Sequence, residues 1–318
     1  MRLFKRVAGS LLLLGFLVSV WEYQAIYQWW FLRNYHPAPE IVALADNANF
    51  SDPGRQDFYL ANPKIDDKVQ LNAHCPVSER SLVLGCYSSG RIYVLKVDRT
   101  ELIKVMNVTA AHEMLHSAYA DLPKKERNQV NRWIEDFYKT VSDPKLQKLV
   151  AEYEQSEPGE RLNELHSILA TQLTTLSPEL ENYYKRYFRS RGQVVADYAS
   201  YEAVFENIEN QIADLRGAID ALKSQLSDLE KDIDSQRTEL EATNQQLDSL
   251  LAADRVSEYN SLVPKQNAQA NRYNSMVSEY RALVESHNSK VNQLNQLALE
   301  QNQLVDSLNS TKFTPISQ

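Results

Sequence analysis

The residues best suited to chemistry lie in the run His112-Glu113-Met114-Leu115-His116. Two histidines four positions apart on a helix project from one face, near enough for their imidazoles to share a single divalent cation. A carboxylate directly after the first histidine is then aimed at a water on that cation, which it can deprotonate as a general base. The neighbours Val108, Ala110, Ala111, Met114, Leu115 and Ala118 suit a buried helix. The plain alternative is a helix that carries two histidines and no metal. With 6 histidines in the chain, this spacing is expected by chance on the order of once per hundred such sequences.

Catalytic zinc takes three protein ligands and keeps a fourth position for water. The third ligand must come from elsewhere, and the segment Arg161 to Leu173 (RLNELHSILATQL) is the evident donor. It offers Glu164 and His166. On a helical wheel centred on Leu162, Leu165, Leu169, Leu173 and Leu176, His166 lies nearer the apolar face. A metal at the edge of a core favours a flanking position such as Glu164, so the residues alone leave both open. A hydrolase also needs a donor for the developing oxyanion. Tyr119, Tyr153, Tyr183 and Tyr184 lie in this part of the chain, and nothing in the sequence selects one.

His112-Glu113-x-x-His116 followed by Asn163-Glu164-Leu165-His166-Ser167, an N-E-x-x-S string, resembles the gluzincin metallopeptidases of the thermolysin type. The resemblance implies Zn²⁺ held by His112, His116 and Glu164, with His166 as the alternative third ligand. It also implies Glu113 as the base and a peptide or protein as substrate. It covers only two short helices. The thermolysin-like pattern carries an Asp four positions after the ligand Glu, orienting a histidine; here that position is Ile168, so the groups supporting the ligands must differ. The wider stretch, from GCYSSGRIYVLKV to LENYYKRYF, looks like that of membrane-anchored bacterial proteins.

Several elements must position these residues. Residues 36 to 90 hold most of the turn-formers (Pro37, Pro39, Asp52-Pro53-Gly54, Asn62-Pro63, Ser88-Ser89-Gly90) and read as loop-rich. Arg91 to Val97 (RIYVLKV) has strand composition. Beyond it, Thr100 and the pairs Leu122-Pro123, Asp143-Pro144 and Ser177-Pro178 mark helix starts. From Tyr198 to Leu250 apolar residues recur in steps of three and four, interrupted only by Gln236 and Thr243, and a second such series runs from Tyr273 to Leu308. Sustained heptads predict a coiled coil. With the reversal placed between Leu251 and Pro264, the simplest form is an antiparallel hairpin. On the second arm, Asn260, Asn267, Asn274, Asn288, Asn295, Asn302 and Asn309 share one heptad position. They read either as a polar flank setting register or as a ladder of amides for an extended partner.

The expected fold is therefore mainly α: a small zincin-like helical domain with a short strand over 36–190, then a long coiled-coil hairpin over 191–311 and a tail over 312–318. Residues 1–35 read as a membrane anchor. Arg2, Lys5 and Arg6 precede the apolar run Val7 to Trp21, which predicts a single pass with the amino terminus cytoplasmic and the bulk of the chain outside. A cleaved signal peptide is the rival, but no small-x-small site follows the run. Cys75 and Cys86, the only cysteines, are expected to form a disulfide in an exported chain. A net charge of −8 and 43% hydrophobic residues exclude a disordered chain and argue against nucleic acid as a partner. The leading function is a membrane-anchored, extracytoplasmic zinc metallopeptidase; the alternative is a non-catalytic envelope scaffold acting through its coiled coil. A partner coil or a second copy of the chain is a further expectation.

Overall fold

The computed structural model describes residues 26–75, 84–156 and 158–309. The chain is mainly helical, with one small three-stranded sheet and two long packed helices. It divides into two compact units: one runs to Val204 and takes in the chain again from Leu304, and the other is Phe205–Gln303.

The first unit contains helices α1 (Pro39–Asn47) and α2 (Asp52–Leu60), strand β1 (Lys64–Asp66), α3 (Lys68–His74), β2 (Gly85–Ser88) and β3 (Arg91–Leu95). Then follow α4 (Val105–Asp121), α5 (Lys124–Tyr138), α6 (Pro144–Ser156), α7 (Arg161–Gln172) and α8 (Pro178–Tyr184). Local chemistry explains many of the helix starts. Ser51 accepts from the Gly54 N–H, Asp67 and Gln70 form a reciprocal capping box, and Ser177 accepts from Leu180. Asp143 Oδ1 accepts from the Lys145 N–H at 2.8 Å. Thr100 caps nothing: residues 100–104 form turns, and α4 starts at Val105 without a side-chain cap.

The sheet order is β1-β3-β2, with β1 parallel and β2 antiparallel to β3. Central β3 is buried through Ile92, Tyr93, Val94 and Leu95, and α4 packs across it and β2 on one side and against α7 on the other. Small buried residues, Ala110, Ala111 and Ala118 on α4 with Ser167 and Ala170 on α7, allow the two helices to approach closely. Gly85 is required where α4 crosses β2. A Cβ there would stand 2.5 Å from Thr109 Cγ2 and 2.6 Å from the Tyr93 carbonyl oxygen, so the strand can lie against the helix only without a side chain. The disulfide Cys75–Cys86 ties the end of α3 to β2.

Helix α9 (Gly192–Ala252) starts within this first unit. Its Asp197, 2% exposed, accepts from Asn107 Nδ2 at 2.8 Å and lies 3.8 Å from Lys104 Nζ, which fixes the first turns of α9 beside the start of α4. Arg191 donates to the carbonyls of Leu173 and Thr174 and to Glu181, satisfying the carboxyl end of α7.

The second unit consists of the rest of α9 and most of α10 (Val256–Leu308). Ile208, Ile219, Gln236, Thr243, Leu247 and Leu250, all on the heptad series, are its buried residues on α9. The link is tighter than the residues suggest. Asp254 takes a left-handed φ of 56°, its N–H meets the Leu251 carbonyl, and the Arg255 N–H meets that of Leu250; this is a Schellman-type stop. Pro264, expected in the reversal, lies inside α10. It and Asn260 are exposed, so water can take the carbonyl that proline leaves without a donor.

The membrane expectation is corrected. No helix among the described residues is long and apolar enough to cross a membrane. The described part of 1–35 is a helix over 26–34 containing Arg33 and Asn34, roughly 14 Å long at about 1.5 Å per residue, against the roughly 20 residues a span needs. The run Val7 to Trp21 lies outside the described residues. The described residues therefore do not support the membrane as a partner, the single pass or the sidedness drawn from it. The tail 312–318 also lies outside the described residues.

Candidate metal centre

His112, Glu113 and His116 stand on the middle turns of α4, the helix buried between sheet and α7, and Glu164 stands on the first turn of α7. The contact between these helices carries both histidines to the carboxylate. His112 Nε2 lies 3.5 Å from Glu164 Oε2 and His116 Nε2 lies 3.4 Å from Glu164 Oε1. The candidate ligand atoms of the three residues all lie within 4.8 Å of one another. His116 and Glu164 are buried, while His112 keeps some access to the cleft.

Two observations test whether a divalent cation fits. The first is distance: donors about 2.05 Å from a tetrahedral Zn²⁺ lie about 3.3 Å apart, close to the two imidazole–carboxylate separations. The second is protonation. Asn163 Nδ2 donates to Glu160 Oε2 at 3.0 Å, which turns its Oδ1 toward His116 Nδ1 at 2.9 Å. An amide oxygen only accepts, so His116 carries its proton on Nδ1. Burial and, next, the neighbouring His112 hold the His116 pKa below its usual value, which keeps the ring neutral. Its Nε2 faces the Glu164 carboxylate at 3.4 Å. Burial raises the Glu164 pKa, and a hydrogen bond from His112 together with the charges of His116 and His112 brings it below the ordinary carboxylate range. The three side chains converge as ligands do around a cation.

Glu113 is buried and lines the same cleft, its Cγ 3.3 Å from where a Cβ on Gly85 would stand. The carboxylate is thus held between α4 and the edge strand β2. The cleft is about 360 Å³ in volume and is walled by β2, α4, both ends of α7, Tyr153 of α6 and the first turns of α9.

His166 stands elsewhere. It is fully buried, its Nε2 3.0 Å from the Tyr183 hydroxyl, and its ring packs among Tyr119, Tyr183, Tyr184 and Tyr187. Burial, reinforced by His116 and His112, pushes its pKa down to about 3, so it is a neutral core histidine facing away from the carboxylate cluster. Ile168 is wholly buried. The orienting contact expected from that position is made for His116 by Asn163 instead.

Of the four tyrosines weighed as oxyanion donors, Tyr153 lines the cleft. Tyr119 donates to Asn131 Oδ1 at 2.8 Å, and Tyr183 and Tyr184 belong to the cluster around His166. Sequence reasoning missed Asn163, Glu160, Tyr198 and Tyr201, all of which line the cleft. Asn163 carried a signal, being adjacent to Glu164 in the N-E-x-x-S string. The two α9 tyrosines were masked by their heptad spacing. The chain matches no protein-family model, no curated protein and no solved structure.

Proposed function

We propose that the first unit is a Zn²⁺-dependent peptidase. The observation that carries the reading is His116 Nε2, its ring proton directed to Nδ1 by Asn163, set 3.4 Å from the Glu164 carboxylate, with His112 Nε2 3.5 Å from the other oxygen, a donor set that suits a divalent cation. His112, His116 and Glu164 would hold the ion. Zn²⁺ there would supply Lewis-acid polarisation and make water acidic enough to ionise near neutral pH. Glu113 takes a proton from water on its carboxylate and returns it to the departing amine. Asn163 keeps the His116 proton on Nδ1 throughout. β2 pairs with β3 on one side of the order β1-β3-β2 and borders the cleft, so its backbone suits an extended peptide.

Metal analysis of the purified chain and cleavage of an internally quenched peptide library test this together. Glu113→Gln is expected to keep one zinc per chain and lose hydrolysis by roughly 10²- to 10⁴-fold, while His112→Ala loses both. Full activity in Glu113→Gln would overturn the mechanism.

The two long helices read as an antiparallel coiled-coil hairpin. Gln211, Asp214 and Leu215 border one groove with Gln293, Gln296 and Leu297, and the two sets lie about equally far along the chain from the turn near Asp254. Asn260, Asn267, Asn274, Asn288, Asn295 and Asn302 are all exposed, as both a polar flank and an amide ladder would be. Zinc binding without cleavage of any peptide would favour the scaffold over the enzyme.

A further inference from the structure

The cleft has two chemically different ends. On α4 the residues facing it recur at Val105, Val108, Thr109, His112, Glu113 and His116, one face of the helix. Going from His112 toward the amino end, Val108 lies one turn away and Val105 nearly two, roughly 6 and 10 Å at about 1.5 Å per residue. The first turns of α9 close this end with Tyr198 and Tyr201. Asp197, which precedes Tyr198, is bonded to Asn107 on α4, so the tyrosines are held at the Val105–Val108 end and not over the histidines. Among the described residues lining the cleft there is no lysine or arginine, whereas Glu113, Glu160 and Glu164 all line it.

We propose that this end is a subsite for a bulky apolar side chain of the substrate, two to three residues from the bond that is cut, and that it disfavours an acidic side chain there. The spacing follows from an extended peptide, which advances about 3.3 Å per residue. The chemistry follows from two valines and two tyrosyl rings, with Thr109 between them and the histidines, and no lysine or arginine among the described lining residues to pair an incoming carboxylate. This inference rests on the peptidase reading above, and its test separates the two.

The test measures zinc-dependent binding of hydroxamates to the zinc-loaded full chain. Acetohydroxamate reports the metal site alone. Tripeptide hydroxamates carrying Phe or Asp at the second or third residue from the chelating group report the subsite. The Phe compound is expected to bind at least about tenfold tighter than the Asp compound at one of those positions, the scale of burying one large apolar side chain. Tyr201→Ala should cut that ratio below threefold with acetohydroxamate affinity unchanged, and Tyr201→Phe should keep it. Tyr198→Arg, at a half-buried position, should swing preference toward Asp by about tenfold, and it carries the test if Tyr201→Ala fails to fold. Zinc-dependent acetohydroxamate binding with Phe and Asp arms within threefold of each other would overturn the subsite and leave the peptidase reading standing. Absence of zinc-dependent acetohydroxamate binding would remove both.

Discussion

Asn163→Leu tests the metal centre without touching a ligand. Leucine matches asparagine in shape but accepts no hydrogen bond, so the His116 Nδ1–H loses its partner at 2.9 Å. Two effects follow. The ring is no longer held in the tautomer that leaves Nε2 bare, and a buried N–H is left unsatisfied. Loss of a group orienting a ligating histidine costs about 10- to 100-fold in metal affinity, or about 1.4–2.8 kcal/mol at 1.4 kcal/mol per decade. Asn163→Asp supplies the control: it keeps an acceptor on Nδ1 and adds negative charge, so zinc should bind within threefold of the parent or tighter. Zinc affinity is read by competition with a chromophoric chelator at pH 7.5, and thermal unfolding in chelator checks that both variants fold. If Asn163→Leu binds zinc as tightly as the parent, the Asn163 contact does not govern His116. The argument from its bare Nε2 then fails.

Two further outcomes are expected. The His166 pKa is depressed to about 3 by burial and the nearby imidazoles. The native state therefore takes up this proton later than the unfolded chain, whose histidine titrates near 6.5. Stability is intact above 6.5 and falls as pH drops toward 3, by up to about 1.4 kcal/mol per pH unit. In metal-free protein, His166→Gln should flatten the urea-midpoint profile between pH 6 and 4, and parallel profiles would refute it. The Cys75–Cys86 disulfide closes a loop of sequence separation 11 and anchors β2. The double serine variant should lose about 2–3 kcal/mol in denaturant unfolding, with a loss under half a kcal/mol contradicting that role.

What the sequence made legible followed from interactions short in chain distance. The histidine pair and its carboxylate share one helix face, and the structure brings Glu164 to that face. Asp143 and Ser177 act on N–H groups two or three residues away. Strands β1 and β2, of 3 and 4 residues, are too short for alternation to emerge and exist because β3 offers them a partner. Pro264, at the end of the segment between the two heptad series, lies inside α10 although proline costs a helix one hydrogen bond. Packing along α10 outweighs that local penalty, as tertiary context commonly does. The α9 tyrosines show the same limit from the other side. Tyr198 and Tyr201 fit a heptad, yet the turn that bears them belongs to the first unit and lines its cleft. Periodicity marks which face is covered and is silent about what covers it.

His116 and His166 are two buried histidines in different settings. Both rings are nearly or wholly inaccessible, and burial depresses the pKa of both, so neither burial nor titration separates them. Their partners do. His166 Nε2 meets a tyrosyl hydroxyl, a group that can donate or accept and so suits either tautomer of a neutral ring. His116 has its proton directed to Nδ1 by an amide whose own orientation is fixed by Glu160, and its remaining nitrogen faces an anion. The other ring nitrogen of His166, Nδ1, is buried and makes no hydrogen bond. Glu164 stands 3.4 Å from the His116 Nε2 and 3.5 Å from His112 Nε2, and one divalent ion at the meeting point of the three side chains would suit all of them.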